Sequence, residues 1–263
     1  MTEAVVLSEL DERGVATVRL NRPAVHNAYD DRLIDALSEA IGSFGADPRV
    51  RLLVLRANGK HFQAGADLAF LKKAGGFAPD QNLEFSRRTT EAMRALNAFA
   101  RPTLALIHGA CYGGGVGLVA ACDIAIATES ATFALTEVRW GVIPAPIVPQ
   151  LCAALGVRGV RRYGITGERF DAREAHRLGL VHEVCADGDL DAAAAPVIDA
   201  VLLGAPQAIA ESKALVLEHG GLEITEATVR GLSLQAAARR ASAEAKEGLS
   251  SFLEKRKPAW YPD

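Results

Sequence analysis

The 263-residue sequence lacks the short motifs that mark several common enzyme classes. It contains no G-x-x-x-x-G-K-[ST] phosphate loop and no G-x-S-x-G nucleophile elbow, which excludes those two kinds of active site. No H-x-x-x-H or C-x-x-C pair occurs, so no metal site is predicted. The four cysteines are therefore expected to be reduced, unligated thiols.

The sequence also lacks a strong charge imbalance and a long apolar run. The 29 Lys and Arg residues are nearly balanced by 32 Asp and Glu residues, so the net charge is −3. This balance gives no indication of a nucleic-acid partner. The acidic N-terminus has no apolar signal region, and no stretch is long enough to cross a membrane. We therefore expect a cytoplasmic protein without a membrane partner.

A glycine cluster is the most informative feature that is present. Gly113–Gly115 separates an apolar strand, Leu104–Ile107, from a short buried helix, Val116–Cys122, which a strand over Asp123–Thr128 follows. Backbone N–H groups at such a turn can bind an anion or an oxyanion, although close helix packing explains glycines equally well. A G-x-G-x-x-A dinucleotide turn is excluded because the helix is too short.

A second loop of small residues lies after a predicted strand at Arg51–Ala57. It reads NGKHFQAGADLAFL, in which residues 64–66 are small and Asp67 is placed to cap a helix from Leu68. The small residues allow close backbone approach to a ligand, while an ordinary connecting loop is the alternative.

The remaining pattern predicts a mixed α/β fold. Strands are expected at Val5–Leu10 and Val15–Leu20, a helix over 31–44 capped by Asp30 or Asp31, a loop over Lys72–Asn82 and a helix over Leu83–Ala100. After Pro149 the pattern becomes helical.

Two segments, GACYGGGVGLVAACDIAIA and FALTEVRWGVIPA, closely resemble the crotonase (enoyl-CoA hydratase/isomerase) superfamily. The resemblance implies an α/β spiral of β-β-α units carrying an acyl-CoA site, which we place at residues 1–200. It also implies a helical C-terminal region, residues 201–263, that assembles a homotrimer or a dimer of trimers.

The resemblance assigns roles to particular residues. The N–H groups of Ala66 and Gly114 would form an oxyanion hole for the thioester, and Glu137 would be the acid/base. The expected substrate contacts are Ala24, His26, Ala64, Asp67, Leu68, Gly113 and Lys255. Coenzyme A enters as part of the substrate, so no separate cofactor is expected.

One position departs from the ordinary hydratases of that family. They carry a first glutamate where this sequence has Gly117, so Glu137 would act alone. The expected activity is hydration of an enoyl-CoA, with a Δ3,Δ2-enoyl-CoA isomerase as the alternative and non-catalytic acyl-CoA binding as a third. The segments are most similar to bacterial methylglutaconyl-CoA and isohexenylglutaconyl-CoA hydratases, which implies a branched or carboxylated substrate. Arg139 is interpreted either as a contact for a distal carboxylate or as an ion-pair residue.

Overall fold

A computed structural model describes residues 4–220 and 225–261. The parts of the predicted regions 1–200 and 201–263 that fall on residues 1–3, 221–224 and 262–263 lie outside the described residues. Two sheets and ten α-helices make up the described part. The strands are β1 Val6–Leu10, β2 Val15–Leu20, β3 Leu52–Ala57, β4 Thr103–Ile107, β5 Ala110–Tyr112, β6 Ile124–Thr128, β7 Thr132–Ala134, β8 Phe170–Asp171 and β9 Glu183–Cys185. The helices are α1 Asp31–Ala46, α2 Leu68–Ala74, α3 Pro79–Asn97, α4 Gly114–Ala121, α5 Val148–Thr166, α6 Ala172–Leu178, α7 Leu190–Leu203, α8 Pro206–His219, α9 Glu226–Ala241 and α10 Ala243–Leu253.

The larger sheet has six strands in the order β1-β2-β3-β4-β6-β9. Its strands are parallel except for β1, which pairs antiparallel with β2. The smaller sheet has the order β5-β7-β8, and β5 and β7 are parallel. Parallel strands need helical crossovers, and those helices cover the sheet on both faces.

The core lies on both faces of the six-stranded sheet. Along β3, Leu53 and Leu55 join the cluster that contains α1 and α3, whereas Leu52 and Val54 join the cluster beneath α7. Successive strand side chains point to opposite faces, so a continuous apolar run is what a strand covered on both sides requires. Full burial of each leucine stabilises the fold by about 1.5–3 kcal/mol.

Two predicted helix starts are confirmed, and a third helix begins in the same way. Asp30 caps α1 by accepting the N–H of Leu33 at 2.9 Å, and Asp67 caps α2 by accepting the N–H groups of Ala69 and Phe70. Asp171 likewise accepts the N–H of Glu174, at the start of α6. A carboxylate at the cap position satisfies amides that have no acceptor within the helix.

Two predictions about local structure are wrong. The loop predicted over Lys72–Asn82 is mostly helical, because α2 continues to Ala74 and α3 already begins at Pro79, where a proline is well tolerated in the first turn. The segment after Pro149 also contains two strands, β8 and β9. Strands of two or three residues are too short to show an alternating pattern.

The C-terminal helices are fixed to the sheet by polar contacts. The Lys213 ammonium on α8 lies 2.7 Å from the Asp123 carboxylate, and Arg51 donates to the carbonyls of Leu202, Gly204 and Trp260. Helix α7 spans residue 200 and packs on the six-stranded sheet. The predicted boundary between the core, residues 1–200, and the C-terminal region, residues 201–263, stays a prediction. Within the described ranges no single helix is long and apolar enough to cross a membrane. Helices α7 and α8 together reach the required length and apolar composition, but they are bent by 104° relative to each other.

Candidate active site

The small sheet brings the glycine turn and Glu137 together. Tyr112 at the end of β5 is in register with Ala134 at the end of β7, and the N–H of Gly113 donates to the carbonyl of Ala134 at 2.8 Å. The chain after β7 turns into a short 3-10 helix, Glu137–Trp140. Two parallel strands that end side by side thus place the turn next to the carboxylate.

The glycines of the turn are required by space and by backbone conformation. Gly113 has φ of 52°, and a Cβ built on it would lie 3.1 Å from Oε1 of Glu137. A Cβ on Gly114 would lie 2.5 Å from the ring of Tyr29, and one on Gly115 would lie 2.6 Å from Oε1 of Gln63. No side chain fits at these three positions without displacing a neighbour, so the sequence signal reflects close approach of the backbone.

The second loop is bound on both of its sides. Gln63 exchanges backbone hydrogen bonds with β5, donating to Ala110 and accepting from Tyr112. On the other side, the carbonyl of Gly65 accepts the N–H of Tyr29 at 2.9 Å, and the N–H of Asp67 donates to the carbonyl of Tyr29 at 2.8 Å. The loop is therefore part of a hydrogen-bonded layer rather than a free connection.

Two amides near this pairing have no acceptor among the described residues. The pairing uses the carbonyl of Gly65 and the N–H of Asp67, while the N–H of Ala66 between them finds no acceptor there. Gly114 is the first residue of α4, so its N–H has no acceptor within that helix. Both residues line the same cavity, as does Glu137.

The cavity has a volume of about 1010 Å³ and is large enough for an extended ligand. One wall is a face of α3, which contributes Asn82, Phe85, Ser86, Thr89, Thr90 and Met93. The opposite wall follows the chain from Thr136 through Ile147. The walls are largely apolar, and within the described residues Glu137 is the single carboxylate among the lining side chains.

Burial gives Glu137 the properties of an acid/base group. Its Oε2 atom is inaccessible to solvent and has no hydrogen-bond partner among the described residues. Because burial disfavours the charged form, the pKa of Glu137 is raised above its ordinary value. A raised pKa makes a carboxylate a stronger base than usual, which suits it to take a proton and return it.

Tyr29 is the second titratable group of this end of the cavity. Its ring packs against Gly114, and burial followed by the negative charge of Glu137 raises the pKa of the phenol to about 12. Tyr29 is therefore a neutral hydroxyl at physiological pH. Sequence reasoning missed this residue, although it follows His26, a predicted substrate contact, by three positions.

At Gly117, where ordinary hydratases of the family carry their first glutamate, the side chain of Ile147 fills the space. A Cβ on Gly117 would lie 2.7 Å from Cβ of Ile147, so no side chain can be added there without movement of that isoleucine. Among the described lining residues, Glu137 is therefore the one carboxylate.

The predicted substrate contacts divide into two groups. Ala64, Leu68 and Gly113 line the cavity together with Ala66 and Gly114. The cavity lining does not include the other four predicted contacts, Ala24, His26, Asp67 and Lys255.

Each residue outside the lining has a different local environment. Ala24 and His26 lie on an exposed turn, where the His26 ring contacts that of His61 at 4.9 Å. The Asp67 carboxylate caps α2 and lies 3.3 Å from the Arg22 guanidinium. Lys255 follows α10 and is exposed. Contact between these four residues and coenzyme A stays a prediction.

Two arginines occur on the outer part of the cavity wall. Arg139 donates Nε to the carbonyl of Gly167 at 2.9 Å, and Arg169 lies over the Tyr112 ring at 5.3 Å. Neither forms an ion pair with a carboxylate among the described residues of this chain, and an ion pair of Arg139 with another copy stays a prediction. Arg169 was not predicted as a site residue, because it is distant from every motif in the sequence.

Comparisons with known proteins agree with this geometry. A family profile described as Enoyl-CoA hydratase/isomerase matches residues 11–262. A solved enoyl-CoA hydratase from Shewanella pealeana superposes with a TM-score of 0.94 at 41% identity, covering 97% of this chain and 96% of that one.

Two curated relatives differ in their named activities. The crotonyl-CoA hydratase of Syntrophomonas wolfei is 30% identical over 97% of this chain and 96% of its own length. A mitochondrial Δ(3,5)-Δ(2,4)-dienoyl-CoA isomerase of Dictyostelium discoideum is 29% identical over 96% of this chain and 89% of its own length. The structural match confirms the predicted fold class.

Proposed function

This chain is an enzyme of the enoyl-CoA hydratase/isomerase family, and on that premise we propose that it adds water to the double bond of an enoyl-CoA thioester. The observation that carries the proposal is one cavity lined by Glu137, Ala66 and Gly114. Among the described residues the buried Oε2 of Glu137 has no partner, and the N–H groups of Ala66 and Gly114 have no acceptor. An unpaired buried carboxylate is costly to the fold and is expected where chemistry needs it.

In the proposed reaction the thioester oxygen binds the N–H groups of Ala66 and Gly114. Glu137 takes a proton from water as the water oxygen bonds to C3 and the electrons of the double bond move to the thioester oxygen. The resulting enolate then collapses, C2 takes the proton back from Glu137, and the carboxylate is restored. Each oxyanion donor is expected to lower the barrier by about 2.7–4 kcal/mol.

Coenzyme A serves in this reaction only as the carrier of the acyl group, and no further cofactor is invoked. The unpaired guanidiniums of Arg139 and Arg169 support a substrate with a distal carboxylate. A charged group on the acyl chain would find complementary charge at this part of the wall and apolar surface along α3.

A second candidate activity is Δ3,Δ2-enoyl-CoA isomerisation. The packing of Ile147 against Gly117 favours it, because that contact leaves Glu137 as the one lining carboxylate among the described residues. Moving a proton between C4 and C2 needs one base and no water.

The test is to incubate the enzyme with crotonyl-CoA, 3-hexenoyl-CoA and 3-methylglutaconyl-CoA and to follow both the absorbance of the conjugated thioester and the product mass. Gain of one water supports the proposal. An unchanged mass with a migrated double bond identifies the isomerase instead, and no reaction with any of the three contradicts both.

Assembly as a homotrimer or a dimer of trimers is proposed as well. Helices α8–α10 leave large apolar side chains exposed, including Leu234 at 63%, Phe252 at 81% and Leu253 at 79%. Surface of this kind supports contact with further copies of the chain. Light scattering after size-exclusion chromatography distinguishes a monomer, which would contradict the proposal, from three or six chains.

A further inference from the structure

The proposed hydration leaves the attacking water with one identified protein partner. A water held by Glu137 alone can rotate about that hydrogen bond, so its lone pair is not fixed toward C3. The Gly117 position offers no replacement, because Ile147 fills the space beside it. A second polar group must therefore come from elsewhere in the cavity.

Tyr29 is the residue whose position fits this need. Its backbone is bonded to the loop that holds Ala66, and its ring lies on Gly114, with Cζ 3.4 Å from the place where a Cβ would be. The Glu137 carboxylate lies against the preceding residue, Gly113. Both side chains line the same cavity.

The hydroxyl of Tyr29 is chemically free for this role. It forms no hydrogen bond with a described residue, whereas the hydroxyl of the other cavity tyrosine, Tyr112, contacts Oγ1 of Thr132 at 3.1 Å. Burial, followed by the negative charge of Glu137, raises the pKa of the Tyr29 phenol and keeps it protonated, so it offers one donor and its acceptor lone pairs. Two residues that line one cavity thus each carry an oxygen without a partner among the described residues, the hydroxyl of Tyr29 and Oε2 of Glu137.

We propose that the Tyr29 hydroxyl is the second hydrogen-bond partner of the attacking water, in the place that a second carboxylate would otherwise take. This inference rests on the proposed hydratase function. Glu137 accepts one O–H of the water and Tyr29 accepts the other, which leaves an oxygen lone pair directed at C3. The proton that is transferred goes to Glu137 and then to C2, and none passes to or from Tyr29.

A purely structural role is the competing explanation, since the Tyr29 ring also supports the turn at Gly114. Tyr29→Phe keeps the ring and removes the hydroxyl alone, while Tyr29→Leu removes both. Tyr163→Phe is the matched control, because it removes a hydroxyl that bonds Glu174 at 2.8 Å, away from the cavity.

The experiment measures kcat and KM for hydration of the enoyl-CoA that the wild type turns over, the Kd of unreactive butyryl-CoA, and the Tm of each variant. For Tyr29→Phe we expect kcat to fall by about ten- to a hundredfold, with KM and the butyryl-CoA Kd within about twofold of wild type. Tyr163→Phe is expected to keep the wild-type kcat.

Three outcomes would overturn the proposal. In the first, the Tyr29→Phe variant hydrates at the wild-type kcat while the Tyr29→Leu variant is impaired. That result would assign the Tyr29 ring a packing role. A loss confined to KM and to the butyryl-CoA Kd would make Tyr29 a binding residue. A wild-type enzyme that adds water to no substrate would remove the hydratase function itself, and this outcome is recognised before any variant is made.

Discussion

The two ends of the cavity are built in different ways. The inner end is formed by Tyr29, Ala66, Gly113, Gly114 and Glu137. Its backbone is held by hydrogen bonds, and its half-buried side chains are held by close contacts. At the rim, formed by Arg139, Trp140, Ile143 and Arg169, side chains are exposed, with Trp140 at 59% and Ile143 at 73%. Under the proposed function, we expect the inner end to set the reaction, and the rim to select the acyl group and to tolerate change.

The largest effect is expected at the inner end, from Glu137→Gln. The amide cannot take the proton of water, so turnover of the enoyl-CoA should fall by about 10²–10⁴-fold or more. Binding of butyryl-CoA, measured by calorimetry, should persist because the amides of Ala66 and Gly114 are unchanged. Glu129→Gln, at an exposed position outside the cavity lining, is the control. Wild-type turnover by Glu137→Gln would rule out the assignment of Glu137.

Gly117→Ala tests whether the inner end tolerates even one methyl group. Because the new Cβ would collide with Ile147, we expect the free energy of unfolding to fall by about 1–3 kcal/mol in urea denaturation. The matched variant is Gly42→Ala in α1, where a Cβ meets nothing within 4 Å and a gain of about 0.4–1 kcal/mol is expected. Equal stability of Gly117→Ala and wild type would show that the packing at Ile147 is not tight.

At the rim, Arg169→Ala should change substrate preference rather than chemistry. Loss of an exposed guanidinium should raise KM for 3-methylglutaconyl-CoA by about three- to tenfold, because a charge-assisted contact is lost in a solvated setting. The KM for crotonyl-CoA should stay unchanged. Arg161→Ala, at an exposed arginine outside the cavity lining, is the control for total charge. A similar rise in KM for both substrates would contradict a role in selecting a carboxylate.

The smallest effect concerns how the folding stability of the protein depends on pH. The pKa of Glu137 is raised in the folded protein, so the folded state binds the proton more tightly, and stability from this group declines as pH rises through the raised pKa. Glu137→Gln should therefore have a higher Tm than wild type at pH 7, and this difference should shrink as pH falls toward the ordinary value of 4.5. A difference in Tm that does not change with pH would show that burial does not penalise the charge.

Much of the inner end was predictable because its signals are local. A triplet of glycines, a small-residue loop with a capping aspartate and a lone glutamate are each visible within a few residues of sequence. The structure confirms the cap at Asp67 and places Ala66, Gly114 and Glu137 on one cavity. Their catalytic roles stay predictions.

The parts that sequence reasoning missed depend on distant contacts. Tyr29 became a site residue because its backbone pairs with Gly65 and Asp67, some forty residues away. Arg169 reaches the rim through its position over Tyr112. The strands β8 and β9 are defined by partners in β7 and β6 and carry no pattern of their own.

The sequence by itself determined where the longer strands, the caps and the glycine turn form, because these depend on backbone conformation and on neighbours within a turn of helix. The tertiary structure decided which of those pieces meet. Parallel pairing of β5 with β7 placed the carboxylate against Gly113, and the packing of Ile147 beside Gly117 left no room for a second one. Such contacts join residues far apart in the chain and arise from shape and burial, which no local pattern of residues encodes.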